Sequence, residues 1–347
     1  MNKTSNKVAI LEKKNKKLKI INKFPIIKLK KGQILVKILY TSICGSQLAE
    51  IEGERGRDKF LPHGLGHEAV GKVIEIGSSV KKVKKNSKVI LTWLKCRGKN
   101  VDGYSQKFNN VIYNFGPITT FSKYSILSEN RCVPKPNKLN DKIASFFGCS
   151  VMTGVGVVYK HLSKIKNKNI SIGLIGLGSV GFFSLLALSA LKFKKIYVVE
   201  KDKKKISFAK KINFKILKTK NLKKELIKKN NNKLLDICFE ASGNSKMIEN
   251  AVKIIKNKGK VVICSHTDPS KKFKIHSHDL IKGKKILGSW GGGSKPDKDV
   301  SKYTKLFLSK KLKLEKVKYK LFDLNNINLA IKEYRKGKFI KPIIKCK

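Results

Sequence analysis

Two thiols and an imidazole stand out in a chain dominated by lysine. Cys44 and His67 lie in the segment SICGSQLAEIEGERGRDKFLPHGLGHE (residues 42–68), which also carries several carboxylates, and Cys149 follows further along the chain. Two thiolates and one imidazole form a donor set that zinc takes, and three protein ligands leave a fourth position open for chemistry. Read singly, each residue has a plainer explanation, because free cysteines are commonly buried and a lone histidine is usually structural.

A glycine-rich loop supplies a second group of residues that could bind a ligand. The hexapeptide GLGSVG fits the pattern G-x-G-x-x-G, and it follows an apolar strand and opens an apolar helix. The first glycine permits a tight turn, the second lets the backbone approach a pyrophosphate, and the third allows close packing of helix on strand. The positive end of the helix then faces the phosphates. The expected cofactor-binding residues are Gly176, Gly178, Ser179, Val180 and Gly181.

An acidic residue closes the next strand. Glu200 ends IYVVE, at the spacing from the loop where a carboxylate accepts the ribose hydroxyls of a dinucleotide. Such a carboxylate repels a 2′-phosphate, so the sequence favours NAD over NADP, although Lys201 and Lys203 follow closely. A solvated strand end is the alternative explanation of Glu200.

The elements that carry these residues differ between the two parts of the chain. Residues 1–150 show short alternating strands separated by Gly, Asn and Pro turns, which predicts an antiparallel, barrel-like β unit. From residue 151, strands alternate with helices, which predicts a parallel, doubly wound sheet. The uncharged run at 170–191 is long enough to span a membrane, but its glycines favour a strand, a turn and a buried helix.

Charge and cysteine content restrict the classes of function that the sequence allows. Lys plus Arg number 79 against 23 Asp plus Glu, a net charge of +56, yet only five of the basic residues are Arg, the residue suited to bidentate phosphate and base recognition. The lysines are also spread along the chain, so we expect no specific nucleic-acid or membrane partner. Seven widely spaced cysteines and the lack of an apolar leader predict a reducing, cytoplasmic setting.

The motifs TSICGSQ, LPHGLGHE, FFGCSVMTGVG, GLGSVG, DICFEASGN and LGSWGG occur in this order along the chain. In this respect the sequence resembles the zinc-dependent alcohol dehydrogenases of the medium-chain dehydrogenase/reductase family. The resemblance implies an α/β fold, with a GroES-like antiparallel β domain at 1–150 to which 291–347 returns. It also implies a doubly wound Rossmann dinucleotide-binding domain at 151–290, and a homodimer or homotetramer.

The resemblance also implies roles for individual residues. Cys44, His67 and Cys149 match the ligands of one catalytic zinc, and Glu68 matches the acidic neighbour that supports the histidine or serves as an alternate ligand. Ser46 matches the hydroxyl that passes on the proton of the substrate. The remaining matches concern the cofactor: Thr153 beside the nicotinamide, Lys205 beside the adenosine ribose and Lys341 at the pyrophosphate.

The sequence departs from the family at three points. Cys96 is the only cysteine where many members carry a four-cysteine structural zinc, so we expect no structural zinc here. Gln47 stands where an aspartate usually orients the zinc histidine, and we expect its amide oxygen to accept the imidazole N–H. Ala49 lies in the stretch where a relay histidine is usual, which leaves proton exit beyond Ser46 to the cofactor ribose and water.

The predicted function is zinc- and NAD-dependent hydride transfer between a small-molecule alcohol and its carbonyl product, with zinc as the Lewis acid. The charged loop EGERGRDKFLPH, with Arg55, Arg57 and His63, suggests a polyol or sugar-type secondary alcohol, although a solvated turn would look the same. Two alternatives stay open: a zinc-free quinone or enone reductase of the same architecture, and a basic protein that binds RNA or membrane surfaces.

Overall fold

The computed structural model describes residues 5–210 and 212–346 of the chain. The described chain divides into two compact units. The first contains residues up to Cys149 together with Lys295–Leu308 and the segment from Tyr319 onward. The second contains Ser150–Ser294 and Ser309–Lys318. Residues 309–318 thus group with the second unit, although the chain on either side of them belongs to the first.

The chain up to Cys149 is mostly strand. Its strands are β1 (Ser5–Leu11), β2 (Lys19–Pro25), β3 (Gln33–Ser42), β4 (His63–Gly64), β5 (Glu68–Ile76), β6 (Lys88–Thr92), β7 (Tyr104–Phe108), β8 (Val111–Phe115), β9 (Tyr124–Ser128) and β10 (Cys132–Pro134). Its helices are α1 (Gly45–Ile51) and α2 (Asp141–Ala144), and a 3₁₀ turn at Glu129–Arg131 separates β9 from β10.

Strands and helices alternate in the second unit, as the sequence predicts. The helices are α3 (Ser150–Leu162), α4 (Ser179–Ala190), α5 (Lys203–Ala209), α6 (Leu222–Lys229), α7 (Ser245–Ile254) and α8 (Ser277–Ile281). The strands are β11 (Ser171–Ile175), β12 (Lys195–Val199), β13 (Lys215–Leu217), β14 (Leu235–Glu240), β15 (Ile255–Ile263) and β16 (Lys285–Gly288). Single 3₁₀ turns occupy Gly291–Gly293 and Leu314–Lys316.

The chain then returns to the first unit through α9 (Pro296–Leu308), β17 (Tyr319–Asp323), a 3₁₀ turn at Leu324–Asn326, α10 (Ile327–Arg335) and β18 (Lys341–Lys345). The last strand pairs antiparallel with β3, so Ile343 lies opposite Ser42. This pairing brings a late segment of the sequence directly beside the segment that leads into Cys44.

Two sheets form the first unit within the described residues. One has the strand order β2-β1-β4-β8-β7, and the other runs β10-β6-β5-β3-β18-β17 with β9 also paired to β3. Most pairs are antiparallel, but β4 pairs parallel with β8 and β17 pairs parallel with β18. The core between them is built from alternating buried residues such as Ile34, Val36 and Ile38 of β3, because successive side chains of a strand point to opposite faces.

The second unit holds a parallel sheet with the order β13-β12-β11-β14-β15-β16. In this doubly wound order, successive strands are added on one side of β11 up to β13 and on its other side from β14 onward. Ligands bind at the point beside the first strand where the strand order reverses. β11 is buried along its whole length, as expected for a central parallel strand covered on both faces. The apolar run at 170–191 is thus β11, the glycine turn and α4, and no helix among the described residues is long and apolar enough to cross a membrane.

Sequence patterns missed some elements. β13 and α6 lie in the lysine-rich stretch 215–229, where short length and dense charge hide the periodicity of the buried residues Leu217, Leu222 and Leu226. The alternating stretch at 121–136 contains two strands, β9 and β10, which the 3₁₀ turn with its buried Glu129 separates.

Candidate zinc centre and dinucleotide site

The first unit brings the three predicted metal ligands together. The thiols of Cys44 and Cys149 and a ring nitrogen of His67 all lie within 4.8 Å of one another. Both thiols are buried, and His67 is half-buried. One ion with bonds of about 2.0–2.3 Å reaches such a set.

Local structure explains how each ligand is held. Cys44 is the N-cap of α1, at the end of β3, and His67 comes directly before β5. Cys149 follows Gly148, where an added Cβ would overlap the carbonyl oxygen of Leu91, so only glycine lets the chain pass this close to β6. The ligands therefore come from the ends of rigid elements.

The donor chemistry fits a bound cation. His67 Nε2 is buried and has no hydrogen-bond partner among the described residues. The hydrogen bond between the thiols of Cys149 and Cys44 holds the pKa of Cys44 well below its ordinary value, and the nearby Lys341 and His67 act in the same direction. Two buried thiols beside an imidazole nitrogen that has no hydrogen-bond partner among the described residues are a donor set that a zinc ion would complete.

Ser46 lies in the first turn of α1, two residues after Cys44. Its hydroxyl oxygen is buried and, within the part of the chain that the structure describes, makes no hydrogen bond. A buried hydroxyl without a partner is uncommon, and it leaves Ser46 able to bind a substrate oxygen.

Glu68 and Lys341 form an ion pair in the interior of the first unit. Both side chains are fully buried, and the Lys341 ammonium donates to Glu68 Oε1 and, at 3.0 Å, to the carbonyl of Ile43. Burial alone would lower the pKa of Lys341, but the charges of Glu68 and Cys44 raise it above its ordinary value.

The structure gives the two residues a shared contact that the sequence did not predict. Lys341 is expected at a cofactor pyrophosphate, but its ammonium is enclosed in the first unit and bonded to Glu68. Glu68 is not part of the cluster of Cys44, His67 and Cys149. No local sequence pattern indicates the pair, because its members are 273 positions apart.

Gln47 also departs from expectation. Its amide oxygen accepts the backbone N–H of Cys44 at 2.7 Å, and its amide nitrogen contacts Nδ1 of His67. The prediction that the amide oxygen would accept from the imidazole is therefore wrong, because α1 uses that oxygen to cap its own first turn.

A cavity of about 420 Å³ in the first unit borders His67. Its walls include Gln47, His63 and the rings of Phe60, Tyr104 and Phe115. His63 Nε2 lies 2.8 Å from Asp58 and 3.8 Å from Glu50, while its Nδ1 contacts the carbonyl of Gly64 at 3.1 Å. His63 thus lies in a cavity wall.

Arg55 and Arg57 are exposed and line a separate pocket of about 230 Å³. That pocket also has Glu50 and Asp58 in its walls. The charged loop therefore contributes residues to the walls of two pockets.

Two carboxylates hold the segment around Cys96 through backbone N–H groups. Glu129 accepts the backbone N–H groups of Lys81, Lys82 and Lys99 at 2.8–3.1 Å. Asp297 accepts the N–H of Arg97 at 2.7 Å. Cys96 belongs to neither ligand cluster found among the described residues, and burial raises the pKa of its thiol to about 12.

In the second unit, the three loop glycines have the geometry of a phosphate-binding turn. Gly176 has φ +89°, a left-handed conformation that favours glycine. A Cβ at Gly178 would meet nothing within 4 Å, and one at Gly181 would overlap the carbonyl oxygen of Gly176. Ser179 and Val180 open α4, whose N-cap Gly178 provides no side-chain cap.

Glu200 is connected to this loop. Its carboxylate accepts the N–H of Leu177 at 2.7 Å and those of Lys201 and Asp202 at 2.8 and 3.0 Å. Lys205 lies in the first turn of α5 and is half-buried. Thr153, on α3, is buried, and its hydroxyl has no hydrogen-bond partner in residues 5–210 and 212–346.

Known families match both parts of the chain. Residues 30–137 match the alcohol dehydrogenase GroES-like domain, and residues 179–309 match the zinc-binding dehydrogenase domain. Among curated proteins, alcohol dehydrogenase-like 3 of Arabidopsis thaliana is 27% identical over 90% of this chain and 89% of its own length. The S-(hydroxymethyl)glutathione dehydrogenase of Photobacterium damsela subsp. piscicida is 25% identical over 91% and 93%.

Solved structures agree on the fold. Benzyl alcohol dehydrogenase from Acinetobacter calcoaceticus superposes with a TM-score of 0.87 at 23% identity, and the match covers 99% of this chain and 100% of that one. The two family domains occur in the expected order and together span more than half of the sequence. The chain therefore belongs to the zinc-type alcohol dehydrogenases of the medium-chain dehydrogenase/reductase family, and it is an oxidoreductase of that type.

Proposed function

We propose that the protein catalyses reversible, zinc- and NAD-dependent oxidation of an alcohol to a carbonyl compound. The observation that carries the proposal is the convergence of Cys44, His67 and Cys149 within 4.8 Å, with the buried Nε2 of His67 lacking a partner among the described residues. A family member without zinc would not need two thiols and an imidazole at one point.

The residues of the first unit would have different roles in the reaction. Cys44, His67 and Cys149 would hold one zinc, which supplies a Lewis acid that lowers the pKa of an alcohol. The Ser46 hydroxyl would accept the proton of the substrate. Glu68 would act from outside the ligand set, because its carboxylate is already paired with Lys341.

The second unit would hold the cofactor. Gly178 leaves open space for a pyrophosphate at the start of α4, and the unpartnered hydroxyl of Thr153 would bond to the nicotinamide end. The negative charge of Glu200 favours NAD over NADP, although its carboxylate also accepts three backbone N–H groups. Lys205 would lie beside the adenosine ribose.

The cavity beside His67 suggests the substrate class. Its aromatic walls and polar groups, Glu50 and His63, would suit a secondary alcohol that carries further hydroxyl groups. A polyol or a sugar derivative meets that description.

The test combines metal analysis with turnover. The purified protein should contain about one zinc per chain and should form NADH from members of a panel of simple alcohols, polyols and sugar alcohols. Cys149→Ser should lose zinc and turnover but still bind NAD in a fluorescence titration.

Cys96→Ser is the matched control, since Cys96 lies outside the ligand cluster, and it should keep both zinc and turnover. A wild-type protein that binds no zinc and reduces quinones or enones would instead be a zinc-free reductase. Full turnover in Cys149→Ser would also overturn the proposal.

A further inference from the structure

The side-chain amide of Gln47 contacts two groups, and one of them fixes the position of its oxygen while the other meets its nitrogen. Gln47 is the third residue of α1 and is buried. One end of the amide accepts from the Cys44 backbone N–H at 2.7 Å, and the other end contacts Nδ1 of His67. The amide therefore connects the chain at one metal ligand to the ring of another.

The backbone group determines which end is oxygen. A backbone N–H can only donate, so the atom that faces Cys44 must be the acceptor Oε1. The alternative orientation would bring the amide NH₂ against this N–H and would set two donors against each other. The NH₂ group consequently faces His67.

The NH₂ group in turn determines the tautomer of His67. An amide NH₂ can only donate, so Nδ1 of His67 must present its lone pair. A neutral imidazole that accepts at Nδ1 carries its proton on Nε2. That nitrogen is buried and has no partner among the described residues, while a nitrogen of the same ring lies within 4.8 Å of both thiols.

A zinc ligand needs the opposite arrangement. A histidine that binds metal through Nε2 ordinarily donates its Nδ1–H to a carboxylate or a carbonyl, and that bond fixes the tautomer and strengthens the ligand. With Gln47 as the neighbour, zinc binding at Nε2 must either leave Nδ1 without its proton or reverse the amide against Cys44. The first outcome keeps both hydrogen bonds of Gln47 but requires the ring to lose its remaining proton and become an imidazolate, whereas the second loses the hydrogen bond from the Cys44 N–H.

We propose that Gln47 is a positioning residue that holds His67 in the Nε2-protonated tautomer and thereby weakens the affinity of this site for zinc. The inference rests on the zinc site of the proposed function and adds to it that zinc occupancy depends on the supply of free metal. Partners of metal-bound histidines change metal affinity by about 10- to 100-fold, so the effect is large enough to measure.

Gln47→Glu tests the proposal, because glutamate has the same length and both of its oxygens accept hydrogen bonds. It can accept from Cys44 N–H and from His67 Nδ1–H together. We expect competition with a chromophoric zinc chelator to give about 10- to 100-fold tighter zinc binding than in the wild type. Gln106→Glu adds the same charge on β7 and should leave zinc affinity within about twofold of the wild type.

A second readout, the position of the His67 proton, can be measured on the wild-type protein itself. In the ¹⁵N NMR spectrum of the metal-free wild-type protein at alkaline pH, His67 should carry its proton on Nε2, with the signal assigned by its loss in His67→Asn. In Gln47→Glu the proton should move to Nδ1. A glutamine that only packs in the interior would not determine which nitrogen of His67 carries the proton.

The outcomes separate this inference from the proposed function. Equal zinc affinity in wild type and Gln47→Glu, or a proton on Nδ1 in the wild type, overturns the role of Gln47 and leaves the zinc enzyme standing. If neither protein binds zinc, the zinc enzyme and the inference both fail. If Gln47→Glu does not fold, the wild-type tautomer decides the matter.

Discussion

Gly181 lies so close to Gly176 that a Cβ at position 181 would overlap the carbonyl oxygen at position 176. Gly178, between them, faces open space. The same loop therefore contains one glycine required by the fold and one that leaves room for a ligand.

The two glycines should respond differently to alanine. Gly181→Ala should lower both the melting temperature and the affinity for NAD, because α4 must move away from the loop. Gly178→Ala should keep the melting temperature and weaken NAD binding by about tenfold or more, because the methyl group occupies the place of a pyrophosphate. Calorimetry and NAD titration check both, and equal losses of stability would contradict the distinction.

Glu200→Gln should relax the choice of coenzyme. The substitution removes a negative charge next to the glycine loop, so the ratio of kcat/KM for NAD to that for NADP should fall by about tenfold, which corresponds to roughly 1.4 kcal/mol. Steady-state kinetics with both coenzymes measure the ratio. An unchanged ratio would mean that the carboxylate serves only the N–H groups of Leu177, Lys201 and Asp202.

Lys341→Met should destabilise the protein by about 3–5 kcal/mol, because it leaves the Glu68 carboxylate buried without its counter-charge. The double variant Glu68→Gln/Lys341→Met should recover most of this loss, since it removes both charges. Urea unfolding followed by circular dichroism provides the comparison. A double variant as unstable as the single one would show that packing, and not charge, is responsible.

Glu129 should make stability sensitive to acid. Burial would raise the pKa of its carboxyl group, but the hydrogen bonds from the N–H groups of Lys99, Lys81 and Lys82 lower the pKa below its ordinary value. Its stabilising effect is therefore present above the unfolded-state pKa of about 4.3 and is lost as the pH falls through the lower folded-state value.

The variant Glu129→Gln isolates this contribution. At neutral pH it should be less stable than the wild type by about 2 kcal/mol, and the difference should shrink below about pH 4. Unfolding midpoints across pH measure both quantities. A difference that stays constant down to acid pH would assign the stabilisation to shape instead of charge.

The sequence was informative where function depends on residue type and order. The cluster of Cys44, His67 and Cys149 was expected because three short motifs in order resemble those of a known family, and the turn at Gly176 was expected from its own local pattern. The parallel sheet was predictable for the same reason.

The sequence was least informative where a side chain has several possible partners and the folded chain determines which one it meets. Lys341 and Glu68 meet only because β18 pairs with β3, which no local pattern reveals. The orientation of the Gln47 amide depends on the free N–H at the start of α1. Glu129 accepts three backbone N–H groups from two segments that lie 30 or more positions away in sequence, so its role becomes visible only once the chain is folded.

The separation of Glu68 from Lys341 has a consequence for biosynthesis. The two residues are 273 positions apart, so at about 5–20 residues per second a ribosome needs tens of seconds to add the lysine after the glutamate. Throughout that interval the nascent chain already carries Cys44 and His67 but has no cation for the neighbouring carboxylate. The buried ion pair can therefore form only after β18 has been synthesised and has paired with β3.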